Sequence, residues 1–299
     1  MEIKNGTIIF KSNFNKDINI NTPEYDFIKN SNIQVIQFND CLNANILKIP
    51  DNITSIVFKE KIDFRNKKLV LPPKLEILVL PHHVTCVLDF PETLKLLIVH
   101  EYPVALDNLP TNLHELRLLN GYQHKINYFP VNLKKLILGH SYNHALDNLP
   151  EGLLSLICIN FNQPIDNFPN SLVNVEFGNS FQQSINLLSD SVKYLNLTID
   201  YAQPIYKYPT NLEELIISEN YYWGNYKFVL DFNLLPDTVK NIKLLSFQLK
   251  LNNYDFLNID KINNLPNLTK ITVKTKELYD NLSKIIINKD KIKLFLKTN

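Results

Sequence analysis

All seven histidines of the chain, His82, His83, His100, His114, His124, His140 and His144, fall within one short stretch. Imidazole is the commonest protein ligand for transition metals, so the clustering raises a metal hypothesis. His124 and His144 lie one twenty-residue interval apart. In a stack of that period their backbones would come within about 5 Å of each other. Zinc would still need a third and a fourth converging donor. His100 and His140 are separated by the interval that carries Asn120, and His82 and His83 point apart in an extended chain. The expectation is therefore ladder and surface histidines, with no metal and no cofactor. Asp107, Asp147 and Asp166 also recur at even spacing, but acid–base catalysis needs paired carboxylates in a water-excluding cleft. No Gly-x-Ser-x-Gly, His-Glu-x-x-His or Cys-x-x-Cys motif is present. With six glycines in 299 residues, no glycine-rich phosphate cradle can be assembled. The chain reads as a non-enzyme.

The spacing that groups these side chains belongs to a longer pattern. Leu109-Pro110-Thr111-Asn112-Leu113-His114-Glu115-Leu116-Arg117-Leu118 recurs as Phe129-Pro130 through Leu138 and as Tyr208-Pro209 through Ile217. The first apolar residue of the run can be followed through Ile33, Ile53, Leu75, Leu94, Leu113, Leu133, Leu153, Leu172, Val192, Leu212, Val239 and Leu268. The eight intervals from Ile53 to Leu212 measure 19 to 22 residues each. Pro stands three residues upstream at most copies. Ser189 replaces it once, and Pro266 is one residue closer. A fixed period of this length is the signature of a solenoid whose coils bury their apolar faces against each other. The Leu-x-Leu alternation is that of a half-buried strand. Some twenty residues leave no room for a strand, two turns and a helix of average length. The prediction is a mainly β repeat solenoid: a single parallel sheet of about twelve short strands, with little helix.

The second half of each coil is patterned as well. It reads Tyr122-Gln-His-Lys-Ile126, Tyr142-Asn-His-Ala-Leu146, Phe161-Asn-Gln-Pro-Ile165, Phe181-Gln-Gln-Ser-Ile185 and Tyr201-Ala-Gln-Pro-Ile205. The aromatic and the aliphatic residue should both point inward. His124, His144, Gln163, Gln183 and Gln203 form a column able to hydrogen-bond from coil to coil. Asp107, Asn127, Asp147, Asp166 and Asn186 form another, expected to cap local backbone before the Pro turn.

These stretches resemble the FNIP repeat, a short leucine-rich-repeat-like unit of amoebae and their large DNA viruses. Phe161-Asn162-Gln163-Pro164-Ile165 leading into Phe168-Pro169 is the nearest match to its hallmark. The resemblance covers residues 50–217 well and 33–273 more loosely. It implies a leucine-rich-repeat-like fold and a role as an interaction scaffold. In some members an N-terminal F-box recruits ubiquitin-ligase machinery, which makes a substrate-recognition subunit of a ubiquitin ligase the alternative function. Residues 1–32 do not look like an F-box. A carbohydrate-active solenoid would need a groove of clustered carboxylates and aromatics, and the strand column described below offers only Glu176.

Composition narrows the partners. With 31 Lys plus Arg against 30 Asp plus Glu, the chain lacks the electrostatic footprint of a nucleic-acid or anionic-membrane binder. The start, Met-Glu-Ile-Lys-Asn-Gly-Thr, has no apolar leader core, and no segment approaches a membrane span. Three widely spaced cysteines, Cys41, Cys86 and Cys158, fit a reducing cytoplasm. If the source is viral, that is the host cytoplasm. Residues 1–32 are expected to cap one end, 33–273 to form the repeats, with enlarged coils over 218–273, and 274–299 to cap the other end. A short amphipathic helix is expected over Glu277–Ile287 and a strand over Lys291–Leu296.

What the repeat does not require marks the candidate protein-binding residues. The outward residue between the last two core positions of each strand runs Gln37, Val57, Val79, Ile98, Arg117, Ile137, Ile157, Glu176, Asn196, Ile216, Lys243 and Thr272. Val57, Val79 and Ile98 would make one apolar group, Ile137 and Ile157 a second, with Arg117 between them. Such patches are usually kept for a partner, though β-branched residues also favour strands for their own sake. The second candidate is the aromatic insertion with Tyr221, Tyr222, Trp223 and Tyr226, which suits either a binding hot spot or a cover over the core. Partner identity and oligomeric state are not encoded in these patterns.

Overall fold

The computed structural model describes residues 2–10, 18–19, 23, 26–29, 31–39, 46–59, 68–218, 228–246 and 256–294. The chain divides into two compact units, 1–144 and 145–299. Each is a β-solenoid built from the same coil.

The coil follows from the Pro-x-x-Leu spacing. The Pro130 carbonyl accepts the N–H of Leu133 at 3.0 Å, and the same bond closes the turns Pro50–Ile53, Pro72–Leu75, Pro91–Leu94, Pro110–Leu113, Pro150–Leu153, Pro169–Leu172, Pro209–Leu212 and Pro236–Val239. It is the four-residue β-turn bond, which needs Pro for its fixed φ and not for any polar group. Ser189 can therefore stand in, and Val192 N–H still reaches its carbonyl at 3.1 Å. Where Pro266 is displaced by one residue, the acceptor becomes Leu265. After the turn, three apolar side chains enter the core: Leu133, Leu136 and Leu138 are fully buried, as are Leu113, Leu116 and Leu118. At about 1.5–3 kcal/mol each, such triplets supply most of the driving force for stacking.

In the first unit the strands Thr7–Phe10, Val35–Phe38, Ser55–Phe58, Ile77–Val79, Leu96–Val99, Glu115–Leu118 and Lys135–Leu138 pair in parallel, in that order. In the second unit the order is Ser155–Cys158, Asn174–Phe177, Tyr194–Thr198, Glu214–Ser218, Asn241–Leu245, Lys270–Val273 and Ile292–Leu294. Register follows the repeat. Arg117 faces Ile98 and Ile137, and Ile216 faces Asn196 and Lys243.

Two features depart from a single parallel sheet. Glu2–Lys4 pairs antiparallel with Thr7–Phe10, through Asn5 and Gly6 with φ of 50° and 73°. That is the tight hairpin an Asn-Gly pair favours. Secondly, the return path itself is strand in several coils. Ile18–Asn19, Ile46–Lys48 and Lys68–Val70 form one small parallel sheet, Leu230–Asp231 and Phe256–Leu257 another. The helix near the C-terminus runs Lys276–Ile285, capped by the Thr275 hydroxyl, which accepts the Leu278 N–H. It buries Leu278 and Leu282, and Ile292–Leu294 follows as the strand next to Lys270–Val273. No helix among the described residues is long and apolar enough to cross a membrane.

Candidate interaction surface

His144 and Gln183 of the His/Gln column join coils. His144 Nε2 contacts the Gln123 carbonyl at 2.5 Å, and Gln183 donates to the Asn162 carbonyl and side-chain oxygen at 3.2 and 3.0 Å. In the Asx column, expected to cap local backbone, Asp107 and Asn186 accept N–H groups of the next coil: Asp107 that of Asn127 at 2.9 Å, and Asn186 that of Tyr206 at 2.8 Å. The reason is register. The nearest backbone donor without a ladder partner belongs to the next coil.

The remaining histidines contact one another and nearby polar groups. The His82 and His100 rings lie 4.1 Å apart, His83 Nδ1 is 2.5 Å from Glu101, and His114 Nδ1 is 2.6 Å from the Asn112 carbonyl. Among the described residues, no group of three or more His, Cys, Asp or Glu side chains is disposed to hold a metal ion. Cys158 is fully buried, and burial pushes its thiol up. Cys86 is half-buried, and both thiols are free.

The aromatic column has a role the sequence did not disclose. Leu88 N–H donates to the Tyr102 hydroxyl at 2.7 Å, Leu106 N–H to Tyr122 at 2.9 Å, and Ile126 N–H to Tyr142 at 3.4 Å. Each tyrosine packs its ring in the core and satisfies a buried amide one coil back.

What is left unspent is the outer face of the sheet. In the first unit every four-residue strand from Leu96–Val99 to Lys135–Leu138 alternates half-buried and buried positions, so two residues per strand face out. Val57, Val79 and Ile98 face out and are half-buried, with Val57 opposite Val79 and Val79 opposite Ile98. The second outward position, passed over in the sequence, adds Ile77 and Leu96, which also face each other. Ile77 is 38% exposed. The signal for them was available: both stand immediately before a core Leu. Together these five residues form one apolar field across three adjacent strands.

Arg117 and Ile137 stand outside that field. Arg117 adjoins Ile98, but its Nε and Nη2 both lie 2.7 Å from Glu115 Oε1, with Lys135 Nζ 3.3 Å from the same oxygen. Ile137 is separated from the field by Arg117. Ile157 belongs to the second unit and lies beside Glu176. Polar groups dominate that unit's outer face: Asn174 donates to Ser155 at 3.0 Å, Lys243 pairs with Glu214 at 2.7 Å, and Ile216 stands between Asn196 and Lys243. Tyr221, Tyr222, Trp223 and Tyr226 lie outside the described residues.

Comparison with known proteins places the architecture. The chain is similar to CroV588, a circular leucine-rich-repeat protein of a giant virus, at 21% identity and a TM-score of 0.52, over 93% of this chain and 52% of that one. The likeness is one of fold. The chain thus spans about half the length of CroV588. The leucine-rich-repeat protein LIC12759 of Leptospira interrogans aligns at 18% identity over 96% of this chain and 89% of its own, with a TM-score of 0.49. YopM from Yersinia enterocolitica aligns at 16% over 82% and 70%, with a TM-score of 0.42. No family model matches the chain, and no curated protein does.

Proposed function

We propose that this chain is a non-catalytic interaction scaffold that binds a protein partner through the outer sheet face of residues 55–99. The apolar field of Val57, Ile77, Val79, Leu96 and Ile98 supports this reading. The fold does not need these residues to be apolar: the same positions hold Glu115, Arg117 and Lys135 on the next two strands, and Asn174 and Glu176 in the second unit. Strand propensity alone accounts for Val and Ile but not for Leu96. The mechanism is surface complementarity, in which burial of the field drives association.

We further infer that the coils are of FNIP type. In the matching stretch Phe161 and Ile165 are buried while Asn162 accepts the N–H of Gln182 at 2.8 Å, so these three hallmark residues each have a structural task. Free thiols at Cys86 and Cys158 fit a cytoplasmic setting. The end segments 1–32 and 274–299 act as caps that keep the terminal sheet edges from templating association.

Affinity capture from cell lysate with the parent chain and an Ile77→Asp/Ile98→Asp variant tests the reading. The variant should lose the partner, while Ile216→Asp in the second unit keeps it. Retention by the double variant, with its melting unchanged, overturns the reading.

A further inference from the structure

The two flanks of the apolar field differ in charge. On one side, Val57 faces Gln37 and Ile77 faces Ser55. That flank is neutral, and Gln37 is satisfied by Asn39 at 2.6 Å. On the other side, Leu96 faces Glu115 and Ile98 faces Arg117, with Lys135 next to Glu115. Here two cations share one carboxylate, because Arg117 and Lys135 both converge on Glu115 Oε1. Along the strand starts, Lys95 is matched by Glu76 at 2.9 Å, so that pair adds no net charge. The outcome is an apolar field bordered on one side by two cations that share a single carboxylate. One of the two is an Arg, whose five donors exceed the two contacts made to Glu115.

Building on the proposed function, we infer that the partner's contact segment is aliphatic and carries a carboxylate on the side that meets Arg117 and Lys135. A carboxylate placed there would complete a two-cation, two-carboxylate cluster. It would also fix the direction in which the segment lies across the strands. Apolar contact supplies affinity, and the charge supplies register and encounter rate. A basic segment would meet like charge at the same border.

Selection from a random twelve-residue phage-displayed peptide library on the immobilised full chain tests this. Parallel selections use Arg117→Gln/Lys135→Gln, which removes the charge and keeps the bulk, and Ile98→Asp. The parent should enrich sequences with several aliphatic residues and an excess of Asp or Glu. A synthetic peptide from that pool should bind the Gln/Gln variant roughly three- to tenfold more weakly, with the difference shrinking as salt rises. Enriched peptides that are neutral or basic, undiminished binding to the Gln/Gln variant, or no enrichment at all each overturn the inference. Peptides without acidic excess that still fail on Ile98→Asp would sink this inference while leaving the sheet-face reading intact. Peptides indifferent to Ile98→Asp would sink both.

Discussion

Tyr122→Phe isolates the part of the architecture least visible in the sequence. The Tyr122 ring is fully buried, and its hydroxyl is the acceptor for Leu106 N–H at 2.9 Å in a residue only 2% exposed. Removing one oxygen leaves the ring packing in place and deprives a buried backbone donor of its partner. An orphaned buried donor costs about 1–3 kcal/mol, more than the net worth of an average hydrogen bond. With a urea dependence of about 1–3 kcal/mol/M, a loss near 2 kcal/mol lowers the midpoint by roughly 0.7–2 M. Tyr142→Phe is the internal control. Its hydroxyl lies 3.4 Å from Ile126 N–H, a bond already stretched, so its loss should be smaller. Urea denaturation followed by circular dichroism, with both variants beside the parent, measures the order. Tyr122→Phe as stable as the parent, or Tyr142→Phe the more damaging of the two, refutes the hydroxyl–amide ladder as a stabilising element.

Two further outcomes follow from the same packing. Gly178→Ala would place a Cβ 1.9 Å from the Ile159 carbonyl oxygen of the preceding coil, so differential scanning calorimetry should show a clearly lowered Tm; an unchanged Tm would mean the coils are not held that close. Burial pushes the Tyr102 and Tyr122 phenols above their ordinary value near 10 and Tyr201 up to about 12. The folded state then holds protons the unfolded state has released, so the stability these phenols contribute is fully present below pH 10 and is lost as pH rises above it. Absorbance at 295 nm should show these phenols ionising together with unfolding, and independent early ionisation at full native circular dichroism would contradict their burial.

The periodicity made the coil legible because turn and strand are local. Pro130 to Leu138 contains its own turn bond, its own core triplet and its own outward residues, so nine residues suffice to read them. The charged flank at Arg117 was harder. Its partners Glu115 and Lys135 lie on its own strand and the next, and only the observed register puts both cations on one oxygen. Ile77 and Leu96 were missed because only one outward position per strand was followed, although the period of two supplies both. The Asx column was assigned to local turns because capping rules describe a single chain segment, whereas Asp107 serves a coil twenty residues away. The hairpin at Glu2–Phe10 is signalled by Asn5-Gly6, a turn pair whose meaning is local and separate from the repeat.

The central claim is that the first unit's sheet face is the binding surface. Carbene footprinting of the chain alone and with the protein it captures tests this directly, because the label marks side chains whatever their backbone bonding. Protection should concentrate on Val57, Ile77, Val79, Leu96 and Ile98 and leave Tyr128 and Val131, both exposed, unchanged. Equal labelling of the five in both samples, with protection elsewhere, would contradict the claim.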